Sequence, residues 1–528
     1  MAADPELIEV QQRTLFMLPY YRQAKYDDYI ALSMSQKEQA EAQMQVPLHP
    51  GGVNAWPDLD DGDFDVDHRS PDEDGPYDSL VDLDEEEREE VKEAVRAAAQ
   101  TLPKTFKFVK LLGWGGEGVA VLFRQWDRRG RVKEYVAKFQ APDGVRTPHD
   151  EARQMKEFRG AKHVLQVHDI PMNPKAKKLM VFLEYCPGGS LEGVLRRVAT
   201  RYNNGRGNKA PVRDRTLWLI FDCLFQMILA LRYPPKRWHP EYNEDLDQAL
   251  WERIPTAQDV AWAPPARTRA QKAALARGDL HRARDRERAR SWVHFDIDPS
   301  NVLVKSLEPD GDLRHQLVPG MKLSDFSRCT DVNELSSNPL QMWASIWWGK
   351  NGWQTPEQFS TEWDWVELFP NGAKVAGQYS WKTNLWGMGF IMWCLITHCV
   401  PPYGPYPEAF SEPNFPNRWS YGVYILNDDI PRFRSVDKDL RKLVMRCLMD
   451  DPAHRPSMAE ISQAIRAKLD PPGPWPASGP NSDYDMRHHS RLGARQLGDM
   501  FVNPPVPNHS DHDLAQWLEG NLDIIGDA

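Results

Sequence analysis

The sequence predicts an α+β fold in which short strands precede long helices. Runs rich in β-branched and aromatic residues, typical of strands, lie at 106–112, 119–126, 135–139 and 178–185. Longer apolar segments, whose length favours buried helices, follow at 216–232 and 385–400. A group of strands followed by a group of helices is typical of an α+β protein.

Composition narrows the class of protein. The chain has 528 residues, 41% of them hydrophobic and 27% charged, as expected of a soluble globular protein. Its net charge of −11 argues against nucleic-acid binding. The 6 cysteines form no CxxC pair, which favours a reducing compartment, cytoplasmic or nuclear, over a disulfide framework or a zinc site. The start of the chain resembles no secretory signal, and the uncharged run at 383–407 contains His and Gly, so we expect no membrane association.

A glycine-rich string, GWGGEG at 113–118, lies between two predicted strands. A GxGxxG string can also mark a dinucleotide site, but there a helix follows the glycines. Here the apolar run at 119–126 predicts a second strand, so we expect the glycines in a hairpin turn. Without side chains, such a turn lets backbone amides approach phosphate oxygens.

Lys138 lies inside the apolar run 135–139, where an ammonium is costly unless it meets anions. Phosphates together with a carboxylate would satisfy it. The predicted helix at 149–159 offers Glu151 and Glu157 as carboxylates. We favour Glu151, because Glu157 leaves too few residues before the strand predicted at 164–170.

A polar loop, HFDIDPSN at 294–301, leads directly into the apolar run VLV. The pattern predicts a short loop that presents Asp296 and Asn301 and is anchored by a buried strand. Turn signals at 310–311 and 319–320 then predict a hairpin-like connection to a strand at 321–323 that delivers Asp325. An Asp at the end of a buried strand, near a second Asp-bearing loop, can bind magnesium together with phosphate oxygens.

Across roughly 105–470 the chain resembles the eukaryotic protein kinases of the serine/threonine type. The resemblance rests on motifs in the family's order: GWGGEG, Lys138, HFDIDPSN, DFS at 325–327, TPE at 355–357, NLWGMG at 384–389 and Arg455. It implies a two-lobed fold with a small antiparallel β N-lobe containing one helix, at 105–185, and a larger, mainly α C-lobe, at 186–470. The remaining parts are an N-terminal extension with an acidic linker at 1–104, a basic insertion at 233–291 and a Pro-rich tail at 471–528.

The resemblance also implies an activity, the transfer of the ATP γ-phosphoryl group to a Ser or Thr hydroxyl of a protein substrate. Lys138 would hold the α- and β-phosphates, oriented by Glu151, and Asp296 would accept the proton of the hydroxyl. Mg²⁺ would be held by Asn301 and Asp325. The other implied ATP-binding residues are Leu112, Gly113, Gly115, Gly116, Gly118, Ala120, Leu183, Glu184 and Cys186. Structural roles are implied for the pair of Glu357 with Arg455 and for Asn384. Asn384 would brace HFDIDPSN, which corresponds to the family's catalytic loop and is called the catalytic loop below.

Four positions depart from the family pattern. Phe295 replaces an Arg that binds an activation-loop phosphate, Ser327 replaces a Gly, and Asn384 replaces an Asp. Asp298 stands where a phosphate-binding Lys is usual. Loss of one such contact costs about 3 kcal/mol of barrier, and a nearby anion would add repulsion unless Asp298 points away.

Two further classes of protein therefore stay open. A pseudokinase, or nucleotide-binding scaffold, is favoured by Asp298, while the retained Lys138, Asp296, Asn301 and Asp325 oppose it. A small-molecule phosphotransferase shares the HxDxxxxN loop, but such enzymes lack the TPE, WxxG and late Arg features found here.

Charged and amphipathic segments flank and interrupt this region. The acidic stretch 58–90 has the composition of a solvated linker, and could also serve as a pseudosubstrate or clamp. The basic stretch 267–290 is either a solvated helix or a docking surface for an acidic partner, including 58–90 itself. Near the end, Leu514, Trp517 and Leu518 fall at helical spacing, which suits docking onto the kinase lobe or onto a partner.

Overall fold

A computed structural model describes the following residues. They are 102, 105–115, 118–126, 129–139, 148–168, 180–195, 212–234, 290–307, 313–316, 318–337, 339–350, 352–364, 373–398, 405, 407–412, 415–469, 475, 481–482 and 486. The predictions for 58–90, 267–290, Gly116 and the segment around Trp517 lie outside them.

Contacts divide the chain into two compact units. The sheet unit contains the described residues from 102 to Val194 together with those of Leu303–Ser327. The helical unit contains Leu195–Val302 and Arg328–Arg487. The segment Leu303–Ser327 follows the catalytic loop in sequence and yet clusters with the sheet.

Five strands form the sheet, in the order β1-β2-β3-β5-β4 and with antiparallel neighbours throughout. Their bounds are β1 Phe106–Gly115, β2 Gly118–Trp126, β3 Val132–Phe139, β4 Val167–His168 and β5 Met180–Glu184. Gly115 pairs with Gly118, so the end of β1 lies beside the start of β2. One face of the sheet buries aromatic rings, including Phe106, Phe123 and Phe182.

The helix α1 (Pro148–Met155) belongs to this unit and buries Glu151 and Met155. The helix predicted at 149–159 is shorter, because a 3₁₀ turn, Lys156–Phe158, replaces its last part. Of the strand predicted at 164–170, residues 169–170 lie outside the described part, and the rest contains β4 and a single bridge between Val164 and Leu323. Gln166 explains the difference, since its side-chain amide donates to the carbonyls of Ala161 and Val164 and so holds the chain in a compact loop.

Helices dominate the second unit. The two longest, α2 (Asp214–Arg232) and α6 (Trp381–Thr397), pack against each other. Nearly every residue of both is buried, because a helix that is apolar on all sides needs protein around it. The others are α3 Val332–Ser336, α4 Pro339–Ala344, α5 Pro356–Phe359, α7 Pro431–Arg434, α8 Lys438–Cys447 and α9 Met458–Leu469. The predicted α+β class is confirmed.

Three two-stranded sheets complete the described structure. They are β6 (Trp292–Val293) with β9 (Thr330–Asp331), β7 (Val302–Val304) with β8 (Met321–Leu323), and β10 (Glu408–Glu412) with β11 (Phe415–Ser420). Strand β6 directly precedes HFDIDPSN and strand β7 directly follows it, so the loop begins and ends on strands.

Residues of the predicted tail lie against α2. The Asn481 side-chain oxygen accepts from the Arg215 backbone N–H at 3.3 Å, and the Thr216 hydroxyl lies 3.7 Å from the Met486 sulfur. Among the described residues, none of the helices combines the length and the hydropathy that a bilayer crossing requires.

Candidate active site

A buried ion pair lies at the centre of the sheet unit. Lys138 Nζ is 2.6 Å from Glu151 Oε2, and the two side chains are 14% and 5% exposed. The other carboxylate oxygen of Glu151 accepts from the Phe326 backbone N–H at 3.2 Å. One glutamate therefore connects β3, α1 and the segment that carries Asp325.

Asp325 lies close to the ammonium of this pair. One of its carboxylate oxygens is 4.0 Å from Lys138 Nζ and accepts from the Ser327 backbone N–H at 3.3 Å. The strained residue is Asp325 itself, with φ 56°, whereas Ser327 lies in the 3₁₀ turn Phe326–Arg328. A Ser in place of Gly therefore costs little here, because position 327 adopts a conformation open to any residue.

Three of the implied ATP-binding residues, Leu183, Glu184 and Cys186, lie at the end of β5 or just after it. Leu183 is buried, and the Glu184 carboxylate is 2.6 Å from the ammonium of Lys322, a buried residue that the motifs did not single out. Burial raises the pKa of the Cys186 thiol to about 12. On the other strands, Gly113 pairs with Ala120, and Ala120 pairs with Lys138, so the predicted nucleotide residues share one part of the sheet.

In the helical unit, Asp296 is held at both carboxylate oxygens. Its Oδ1 accepts from the Lys350 backbone N–H at 2.9 Å, and its Oδ2 accepts from the Asn301 amide at 2.8 Å. The Asn301 nitrogen also donates to the Asp296 carbonyl at 3.0 Å. Because the amide nitrogen is engaged in this way, the amide oxygen of Asn301 is the atom suited to a metal ion.

Asp298 turns into its own loop. Its Oδ1 accepts from the Ser300 backbone N–H and from the Ser300 hydroxyl, both at 2.6 Å, and so caps the 3₁₀ turn Pro299–Asn301. Its Oδ2 accepts from Asn301 at 3.3 Å. With 1% of the side chain exposed, Asp298 is a structural residue of the loop. The Asp298 carboxylate is thus hydrogen-bonded within its own loop.

Asn384, near the start of α6, joins the loop to the core. Its side-chain oxygen accepts from the His294 backbone N–H at 3.0 Å, and its nitrogen donates to the Trp292 carbonyl at 2.9 Å. The Asn thus offers a donor that an Asp would lack, and it is 2% exposed.

Phe295 packs into an aromatic cluster. Its ring makes edge contacts with Trp348, at 5.3 Å between centroids, and with Tyr379, at 4.8 Å. We call Phe295, Trp348 and Tyr379 the aromatic cluster; Val293, Leu335 and Ile346 belong to the same core. Since Trp348 and Ile346 come from the segment between DFS and TPE, apolar packing anchors that segment to the catalytic loop.

Glu357, in α5, forms a two-pronged ion pair with Arg455. The distances are 2.8 Å for Nη1 to Oε1 and 2.7 Å for Nη2 to Oε2, and neither side chain is exposed. Arg455 also donates to the carbonyls of Met449 and Lys382 and lies over the Trp386 ring.

Burial raises the pKa of Glu151 above the ordinary glutamate value of 4.5, although Lys138 opposes the shift. Protonation would remove the charge that orients Lys138. If Lys138 holds phosphates, we expect ATP affinity to fall as the pH is lowered and Glu151 becomes protonated. Because the pKa of Glu151 is raised, the fall should begin at a higher pH than for an ordinary glutamate, and titration calorimetry measures it. E151Q should bind ATP weakly with a flatter pH profile, because the titrating group is gone.

The control for this measurement is E157Q, a half-exposed glutamate in the adjacent 3₁₀ turn. It should keep the wild-type profile. An unchanged pH dependence in E151Q would exclude Glu151 as the group responsible.

Comparison with known proteins agrees with this geometry. A family model described as "Protein tyrosine and serine/threonine kinase" matches residues 131–465. The chain therefore belongs to the protein kinase family, which uses ATP and a divalent metal to phosphorylate proteins.

Individual relatives are distant. A "Light-sensor Protein kinase" of Ceratodon purpureus is 27% identical over 177 residues, or 33% of this chain and 12% of that protein. "Mitogen-activated protein kinase kinase kinase 7" of Bos taurus is 25% identical over 175 residues, or 33% of this chain and 23% of that protein. "Inactive tyrosine-protein kinase 7" of Gallus gallus is 26% identical over 103 residues, or 19% of this chain and 9% of that protein. The matched part is thus less than a quarter of each relative's length.

The residues present suit the groups that the family uses. Asp325, in the sheet unit, offers a carboxylate, and Asn301, in the helical unit, offers an amide oxygen; each is a hard oxygen ligand of the kind that Mg²⁺ prefers. Lys138 Nζ lies 2.6 Å from Glu151 Oε2 and 4.0 Å from Asp325 Oδ1, and an ammonium inside a sheet suits such an anionic environment.

Proposed function

We propose that this chain is an active protein kinase that transfers the γ-phosphoryl group of ATP to a Ser or Thr hydroxyl of a protein. The observation that carries the proposal is the direction of Asp298. Its carboxylate is buried and caps the 3₁₀ turn Pro299–Asn301. The feature that favoured a pseudokinase, an anion in place of Lys, therefore has a structural role within the loop.

The chain's own residues would share the work as follows. Lys138, oriented by Glu151, would bind the α- and β-phosphates, and Glu184 to Cys186 would bind the adenine through their backbone. Asp296, fixed at both oxygens, would orient the hydroxyl and accept its proton. Mg²⁺ held by Asp325 and Asn301 would neutralise charge on the phosphates.

A transfer assay tests the proposal. We expect the purified full chain to phosphorylate a general Ser/Thr protein substrate with labelled ATP and Mg²⁺, and D296A to lose this activity, because no carboxylate then receives the proton. Equal transfer by both proteins would mean a contaminating kinase. ATP binding without transfer in the wild type would establish the pseudokinase instead, as the name of the inactive relative suggests for that protein.

Activity should not depend on phosphorylation of the segment between DFS and TPE. Phe295 occupies the position of the phosphate-binding Arg, and its ring is already packed in the aromatic cluster. Phosphatase treatment, verified by mass spectrometry, should leave the transfer rate unchanged. A loss of activity on dephosphorylation would contradict this expectation.

A further inference from the structure

The dipeptide Gly349-Lys350 lies directly against the catalytic loop within the helical unit. The Lys350 backbone N–H donates to Asp296 Oδ1 at 2.9 Å. Gly349 has φ 88°, and a Cβ on it would overlap the Phe295 carbonyl oxygen. Only glycine allows the backbone to approach the loop this closely, so Gly349 determines the position of the Lys350 backbone.

The side chain of Lys350 faces the same loop. Its ammonium is 3.9 Å from Asp298 Oδ1, and the side chain is 36% exposed against 1% for Asp298. A separation of 3.9 Å is an ion pair and not a hydrogen bond. The same Asp298 oxygen has much shorter contacts, at 2.6 Å, with the Ser300 backbone N–H and hydroxyl. Asp298 is therefore bound more closely by Ser300 than by Lys350, and the ion pair keeps the ammonium near the loop.

We propose that Lys350 supplies the positive charge that related kinases place at position 298. The inference rests on the proposed phosphoryl transfer. In that step the substrate oxygen bonds to the γ-phosphorus, the bond from this phosphorus to the β-phosphate oxygen breaks, ADP leaves, and the proton passes to Asp296. Lys350 contacts the γ-phosphoryl oxygens and stays protonated throughout.

One contact and one chemical argument favour this role. The backbone N–H of Lys350 is bound to Asp296, so its ammonium acts within one side-chain length of the carboxylate that takes the proton. A phosphoryl group carries more negative charge than Asp298 and has oxygens open to hydrogen bonds, so it is the stronger partner when present. Asp298 and Lys350 together then replace one Lys of the family pattern.

The test compares K350M with wild type, and D298N/K350M with D298N, in the full chain at saturating ATP and Mg²⁺. We expect kcat to fall about 10²–10³-fold in each comparison, since one contact to the developing charge is lost in both backgrounds. The KM for ATP should change much less, because the contact strengthens in the transition state. K350R should keep more activity than K350M.

The competing role is neutralisation of Asp298 alone. In that case D298N/K350M would match D298N, because no buried carboxylate is left to neutralise, and the proposal would be overturned. Wild-type kcat in K350M would overturn it as well. If K350M is poorly folded, the D298N pair still decides, since neither variant of that pair leaves a buried anion without its cation.

A matched control is K438M, which removes the exposed lysine at the start of α8 that pairs with Asp428. It should transfer phosphate at the wild-type rate. Failure of the proposed function is distinguishable, because it would appear as equal rates for wild type and D296A before any Lys350 variant is compared.

Discussion

Replacing Arg455 with methionine is expected to lower the free energy of unfolding by about 3–5 kcal/mol. The substitution leaves the Glu357 carboxylate buried without the guanidinium that contacts both its oxygens. It also leaves the carbonyls of Met449 and Lys382 without the donors that Arg455 provides. Denaturant unfolding of the full chain, followed by tryptophan fluorescence, measures the change.

The double variant E357L/R455M should recover much of that loss, because two apolar side chains leave no buried charge. The exposed pair of Lys438 with Asp428 provides the control, and K438M should show no measurable change in stability. An R455M protein as stable as wild type would mean that the ion pair contributes nothing net. Equal losses in R455M and the double variant would point to packing around Trp386 instead.

Replacing Phe295 with alanine is the second large change. The ring is 7% exposed and contacts Trp348 and Tyr379, so its removal should cost about 3–5 kcal/mol of stability. Activity should fall as well, because Gly349 and Lys350 follow Trp348 directly and approach the loop through the same packing. Thermal unfolding and the transfer assay measure the two effects.

F295L is the matched variant, since it keeps most of the apolar volume and should cost less than F295A on both measures. F295R introduces the residue that the family pattern contains. It should be destabilised, because a charge enters an apolar core, and phosphorylation should not be needed for the activity that remains. An F295A protein with wild-type activity would show that the aromatic cluster does not position Lys350.

Spacing and family order predicted two of the ion pairs. Glu151 was chosen over Glu157 from the room left before the next strand, and the structure pairs it with Lys138. Motif order placed Glu357 and Arg455 together, and the two form a buried pair. Both predictions follow from spacing or family order, which a single sequence records.

Other features depend on long-range folding and could not be predicted. The contact between Lys350 and Asp296 joins residues 54 positions apart, and Gly-Lys is not part of any motif in the sequence. The direction of Asp298 depends on whether Ser300 turns back toward it, which composition does not reveal. Gln166 similarly shortened a predicted strand by binding backbone carbonyls around it.

The high pKa of the Cys186 thiol has a consequence for chemical labelling. With a pKa of about 12, Cys186 is ionised in only about one molecule in 10⁵ at neutral pH. The other free cysteines in the described part of the chain, Cys223, Cys329, Cys394 and Cys447, are buried as well. Electrophiles that select thiolates are therefore expected to react slowly at Cys186.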